Sequence, residues 1–198
     1  MTASRNILHL GSPLILASRS PRRLELLGQI GIVPDEVRPS RIPEERISGE
    51  SPRAMAMRLA EQKAREVWRK GEFVIGADTV VAVGSRDLGK ANDAPEAKKF
   101  LQLLSGRSHR VIGGVCVIAP GGRTLIRASV TKVTFKRLSH EEIENYITSN
   151  EWQDKAGAYG IQGLAGMFVK KISGSYPNVV GLDIYDVATM LNGLNNEA

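Results

Sequence analysis

A single cysteine, Cys116, stands in a chain of 198 residues. That excludes an internal disulfide framework and a multi-cysteine zinc module, and it suits a reducing cytosol. Aromatic residues make up only 5% of the chain. A nucleic-acid surface would favour a continuous basic stripe interleaved with stacking aromatics. Here acids punctuate the bases almost everywhere outside Arg19–Arg23, so no such stripe exists. No apolar run approaches the roughly 20 residues that a membrane helix needs. The three histidines, His9, His109 and His140, lack metal-ligand spacing, which argues against a histidine zinc site. No segment is low in complexity, and no repeat recurs. At the N-terminus, Arg5 precedes Ile7-Leu8 and Leu14–Ala17 in a faint signal-peptide pattern. His9, Gly11, Ser12 and Pro13 interrupt it, and the stretch reads as a short tail and first strand.

What the chain does carry is the composition of an ordinary globular protein, 42% hydrophobic and 24% charged. One unit spanning 1–198 can bury a substantial core without staples. There are 27 basic and 21 acidic side chains, a net charge of +6. Residues 1–70 hold 13 of the bases and 8 of the acids, and 17 of the 27 bases are arginine. The planar guanidinium fork suits phosphate and carboxylate better than a solvated ammonium does. A local pocket for a small polyanion fits this pattern better than a nucleic-acid surface.

Strand and helix signals alternate. Leu14–Ala17 is a short apolar run, expected as a buried strand. Ser20-Pro21 starts a helix, with Ser20 as cap and Pro21 in the first position, and Gly31 ends it. Ser51-Pro52 repeats that signal before a helix to about Arg69. Phe73–Val83 is strand-like but interrupted at Asp78-Thr79, with a turn expected at Gly84–Asp87. Asp93 with Glu96, and Ser139 with Glu142, form capping-box patterns ahead of two further helices. Val111–Ile118 and Thr124–Phe135 are strand runs joined by the hairpin signal Pro120-Gly121-Gly122. A glycine-rich segment, 154–166, precedes an expected strand Met167–Ile172 and a final helix Ile184–Leu194. The order predicts an α/β fold with a mixed central sheet flanked by helices.

Four segments could carry chemistry. In Ser18-Arg19-Ser20-Pro21-Arg22-Arg23 a strand leads in and a helix leads out, so free N–H groups and the positive helix end converge on an anion site. A capped helix with exposed arginines is the plainer explanation, but cations at a helix N-terminus oppose its dipole unless an anion lies between them. Asp78 is a carboxylate inside the apolar run Phe73–Val83, costly to bury unless paired, metal-bound or facing a cleft. It is the strongest single-residue catalytic signal. Gly84–Ala91 nearly matches a P-loop, but Ala91 replaces the Ser or Thr that would hold magnesium. A hairpin turn with a returning Gly89-Lys90 fits better, and Lys90 still offers a point charge. In the glycine-rich segment, glycines recur at 157, 160, 163 and 166, letting backbone approach a ligand closely, while Lys155 and Gln162 add a charge and a base-reading amide. Glu44-Glu45 reads only as a solvated pair, and Cys116 as a packed core thiol.

Taken in order, Leu16–Arg23, Gly76–Thr79, Leu88–Lys90, Leu104–Arg107, Asp154–Gly157 with Gly160–Gly163, and Val179–Leu182 closely resemble the Maf family over nearly the whole chain. The resemblance implies a cytoplasmic nucleoside triphosphate pyrophosphatase using a divalent metal, Mg²⁺ or Mn²⁺. It implies a Maf/Ham1-like fold with two lobes around a deep cleft, and a homodimer. It makes Asp78 the proton acceptor and places the family's earlier acidic position on Glu44, giving Asp78 and Glu44 as metal ligands. Ser18, Ser20, Arg23, Lys90 and Lys155 are then expected to bind phosphate. The Asp-Lys-Ala-Gly and Ile-Gln-Gly signatures resemble the dTTP/UTP branch, with Arg22, Thr79 and Gln162 setting base specificity. Pro43 and Ala91 depart from the common pattern. Two rival expectations remain: a regulator of septum formation acting through a partner, and a nucleic-acid-binding module. The resemblance favours neither nucleic acid nor membrane as partner.

Overall fold

The structure is a computed structural model, and it describes residues 8–84 and 86–196. The signal-like pattern up to Ile7, and Ser85 of the expected turn, lie outside the described residues. The chain packs as two compact units, one from residues 8–78, 113–129 and 181–196, the other from 79–112 and 130–180.

In the first unit, β1 (Leu14–Leu16) is buried and pairs in parallel with β2 (Glu36–Val37) and with β3 (Phe73–Val83). Between them come α1 (Pro21–Gln29) and α2 (Pro52–Val67). Helix α2 lies on the sheet through its small residues Ala56, Ala60 and Ala64, which are fully buried. Two glycines make this seat possible. A Cβ on Gly76 of β3 would collide with the Ala60 carbonyl and stand 2.8 Å from the Ala64 Cβ, and one on Gly114 would collide with the Ala56 carbonyl. Backbone therefore meets backbone, closer than any side chain permits. Around this contact Ile15, Ala17, Val67, Val74, Cys116 and Ile118 complete a core cluster.

The second unit has β4 (Arg86–Leu88) returning antiparallel to β3, with Val81 opposite Leu88. Helix α3 (Ala94–Leu104) packs on α4 (His140–Thr148), and β7 (Val169–Ser173) runs antiparallel to β6 (Thr124–Phe135). Strand β5 (Ser108–Ile118) lies between β3 and β6, so that seven strands form one mixed sheet in the order β2-β1-β3-β5-β6-β7, β4 pairing with β3. The short α5 (Tyr176–Val180) belongs to this unit, and α6 (Ile184–Asn195) to the first.

Several local expectations are corrected. Strand β3 runs unbroken through Asp78-Thr79, because the branched residues that follow keep the backbone extended. Ser20 occupies the cap position of α1, but its side chain makes no capping bond. Asp93 caps α3, while Glu96 bonds the amide of Asn92 rather than closing a box on Asp93. At Ser139 the full capping box forms. Helix α2 stops at Val67, and residues 164–168 wind as a 3-10 turn, so β7 starts only at Val169.

Candidate active site

Helix α2 presents one cation on its covered face. Lys63 falls at the same helical stripe as Ala56, Ala60, Ala64 and Val67 and is only 7% exposed. An ammonium held there needs an anion. It has two: Lys63 Nζ donates to Asp78 Oδ1 at 2.6 Å and pairs with Glu44 Oε1 at 2.7 Å. Asp78, itself 7% exposed, is thus buried and paired at the point of β3 where the sequence pattern singled it out. One ammonium joins the two carboxylates, and the tight Gly76 seat sets how far Lys63 has to reach.

The turn from β1 into α1 stands beside this pair. Ser18 is buried, and its Oγ accepts from Arg23 Nη1 at 2.9 Å and from the Ser20 amide at 3.2 Å. Arg23 Nε donates to the Gly181 carbonyl at 2.9 Å, in a backbone position with φ +142° that favours glycine. Burial pulls the Arg23 guanidinium below its ordinary value; Asp78 opposes that, Arg22 adds to it, and Glu44 opposes it again. Arg23 therefore sits in the field of both carboxylates. Arg22 is half-buried on the neighbouring position. Arg58 also feels the charge of Asp78, after the larger effect of its bonds to Glu50.

Ser18, Ser20, Arg22, Arg23, Glu44 and Asp78 thus belong to the first unit, where Lys63 joins Glu44 to Asp78. Thr79, Lys90, Lys155 and Gln162 belong to the second. There Thr79 is half-buried, while Lys90 and Gln162 are exposed. Lys90 bridges Ala156, and the Gly157 amide donates to the carbonyls of Leu88 and Gly89, so the returning Gly-Lys strand and the glycine-rich segment are stitched together. The glycines of that segment admit this protein's own side chains. A Cβ on Gly157 (φ +70°) would lie 2.9 Å from Val81 Cγ1, and one on Gly160 would lie 2.6 Å from Lys155 Cε. Beneath it, Tyr146 Oη accepts from the Gly160 amide at 3.0 Å, and Tyr159 Oη bonds His109 Nε2 at 2.8 Å.

Lys63 and Arg58 were absent from the candidates read in the sequence. The signal for Lys63 was its place on an alanine-lined helical stripe. For a divalent cation the described residues hold no cluster of three acidic, histidine or cysteine ligands. Asp78 and Glu44 nevertheless form a hard-oxygen pair already converging on a positive group. Mg²⁺ commonly takes one or two carboxylates and draws its other oxygens from water and phosphate, so this donor set fits such an ion.

At the level of fold, the chain is similar to a HAM1 protein from Coxiella burnetii, with a TM-score of 0.51 and 17% identity over 92% of this chain and 99% of that one. This places it in the α/β fold of that protein. More specifically, residues 13–194 match the Maf-like protein family, and the chain belongs to it. Among its relatives is the dTTP/UTP pyrophosphatase of Hyphomonas neptunium, 56% identical over 92% of this chain and 96% of that protein. Another is the dTTP/UTP pyrophosphatase of Caulobacter vibrioides, 52% identical over 93% and 96%.

Proposed function

We propose that this protein hydrolyses dTTP and UTP at the α–β anhydride, releasing the monophosphate and pyrophosphate. The observation that carries this is the buried Asp78, paired through Lys63 with Glu44 in the field of Arg23 at a helix start. Membership of a family whose relatives are named for that reaction supports it.

Asp78 acts as the proton acceptor. Lys63 donates to Oδ1 and orients the carboxylate, so that Oδ2 can take the proton of an attacking water. Ser18, Ser20 and Arg23 receive phosphate at the N-terminus of α1, where the helix dipole and free amides add to the guanidinium. Lys90 and Lys155 bind further phosphate oxygens as point charges, mostly an electrostatic contribution to the barrier. Arg22, Thr79 and Gln162 read the base; a carboxamide supplies both a donor and an acceptor, as a uracil or thymine edge requires. Mg²⁺ or Mn²⁺ held by Asp78 and Glu44 would neutralise phosphate charge. We assign the protein to the cytoplasm and to a homodimeric state on the same family grounds.

The test is pyrophosphate release by purified protein over dTTP, UTP, CTP, GTP and 7-methyl-GTP, with each metal. Activity should be highest on dTTP and UTP, and Asp78→Asn should lower kcat by about 10²–10⁴. A folded Asp78→Asn protein with near-normal turnover would refute the assignment of the base.

A further inference from the structure

Glu44 sits on a segment with no evident means of support. Residues 39–50 contain no helix or strand and not one buried residue; Ile42 is half-buried and Ile47 is 54% exposed. Polar contacts to α2 hold the segment instead, and their partners run backwards along the helix as the segment runs forwards. The Arg41 amide donates to Glu66 Oε2 at 2.7 Å, Glu44 pairs with Lys63, and the Glu45 carbonyl accepts from Arg58 Nη2 at 3.0 Å. Finally, the Glu50 carboxylate receives Arg58 Nε and Nη2, each at 2.7 Å.

The last two contacts share one guanidinium. Arg58 grips the segment at 45 and again at 50, closing the intervening loop on itself, and its Nη1 donates to Gln62 Oε1 at 3.0 Å. Glu50 is only 9% exposed at its side chain and Arg58 21%. A planar two-bond grip fixes direction as well as distance, which an ammonium could not do. Glu44 is the residue immediately before the gripped loop.

We propose that Arg58 is a positioning residue for the active site, acting through the 45–50 loop to hold the Glu44 carboxylate against Lys63 and Asp78. The catalytic side of this proposal rests on the function proposed above. Nothing about Arg58 requires contact with substrate; its effect passes through Glu44.

A double-mutant cycle tests this. Turnover of dTTP is measured for Arg58→Gln, Glu44→Gln and the double variant, with Arg58→Lys as the conservative substitution. Arg58→Gln should lower kcat/KM by about 10-fold or more, in the range found when partners of ligating groups are removed. In the Glu44→Gln background the same change should have almost no further effect, because residues acting through one group do not add. Arg58→Lys should recover only part of the loss. Hydrogen exchange supplies the second readout: peptides covering 41–50 should exchange faster in Arg58→Gln, while β3 keeps its protection and so reports an intact fold. An equal loss in both backgrounds, or unchanged exchange at 41–50, overturns the proposal. Absence of hydrolysis by the wild-type protein would instead overturn the proposed function, and the exchange measurement would still decide whether Arg58 holds the segment.

Discussion

Replacing Gly76 by alanine adds one methyl group where α2 meets β3, and its effect can be worked from the geometry. The new Cβ would stand 2.8 Å from both the Cβ and the amide nitrogen of Ala64, against about 3.4 Å for the onset of ordinary contact, and nearer still to the Ala60 carbonyl. The helix must retreat by more than half an ångström. Most of what it meets is backbone, so no rotamer change absorbs the clash. Overpacking of a tight core costs about 1–3 kcal/mol, and a contact this rigid belongs at the upper end. The retreat also carries Lys63 away from Asp78, its partner at 2.6 Å. Misplacement of about 1 Å can cost on the order of 10²-fold in rate, so turnover should fall at least tenfold in protein that is still folded. Urea unfolding monitored by circular dichroism gives the stability change, and pyrophosphate release gives the rate. Ala64→Gly should not rescue the variant, because the Ala60 carbonyl remains in the way. An unchanged urea midpoint with unchanged turnover would refute the close seat and its link to the site.

Two further outcomes concern buried groups outside the site. His109 is 2% exposed and sits edge-on to Phe135 and Tyr159, and burial lowers its pKa from 6.5 to about 4. The folded state therefore keeps it neutral while the unfolded state protonates it, so stability is complete above about pH 6.5 and falls as pH drops toward 4. The loss amounts to about 3 kcal/mol, and His109→Phe should flatten the decline; urea midpoints between pH 7 and pH 4 would show it, and an unaltered slope would contradict it. Cys116 is fully buried, and burial pushes its thiol up to about 12. It should resist a thiol-specific disulfide reagent in the native protein and react at once in denaturant; prompt native reaction would contradict its place in the core.

Some of this was legible in the chain and some was not. Asp78 could be found because a carboxylate within an apolar run must have a reason to be there, and its partner supplies one. The turn at Ser18–Arg23 could be found because helix starts are written locally, in one hydroxyl residue and one proline. Ser20 shows the limit of that reasoning: it holds the cap position without making the cap bond, while Ser18 takes the Arg23 guanidinium. Glu44 was invisible to composition and spacing, since an exposed polar stretch has no periodicity and its meaning comes only from Lys63, 19 residues further on. Lys63 was hidden among alanines, whose spacing predicts a covered face but not the anion opposite. The glycine spacing in 154–166 did announce close approach, yet the groups approached include Val81 and Lys155, set by tertiary packing that no local rule encodes. Two-residue strands such as β2 carry too few residues for any pattern.

The Lys63 bridge also bears on how a polyphosphate first meets this surface. A site with two carboxylates would ordinarily turn such a molecule away. Here Lys63 stands between the two acids, Arg23 lies in the field of both and Arg22 beside it, while Arg58 is already paired with Glu50. The balance is positive before any other charge arrives, so encounter is attractive rather than repulsive. Added salt should weaken that attraction over distances of about 10 Å, and the carboxylates stay available for chemistry without slowing the approach.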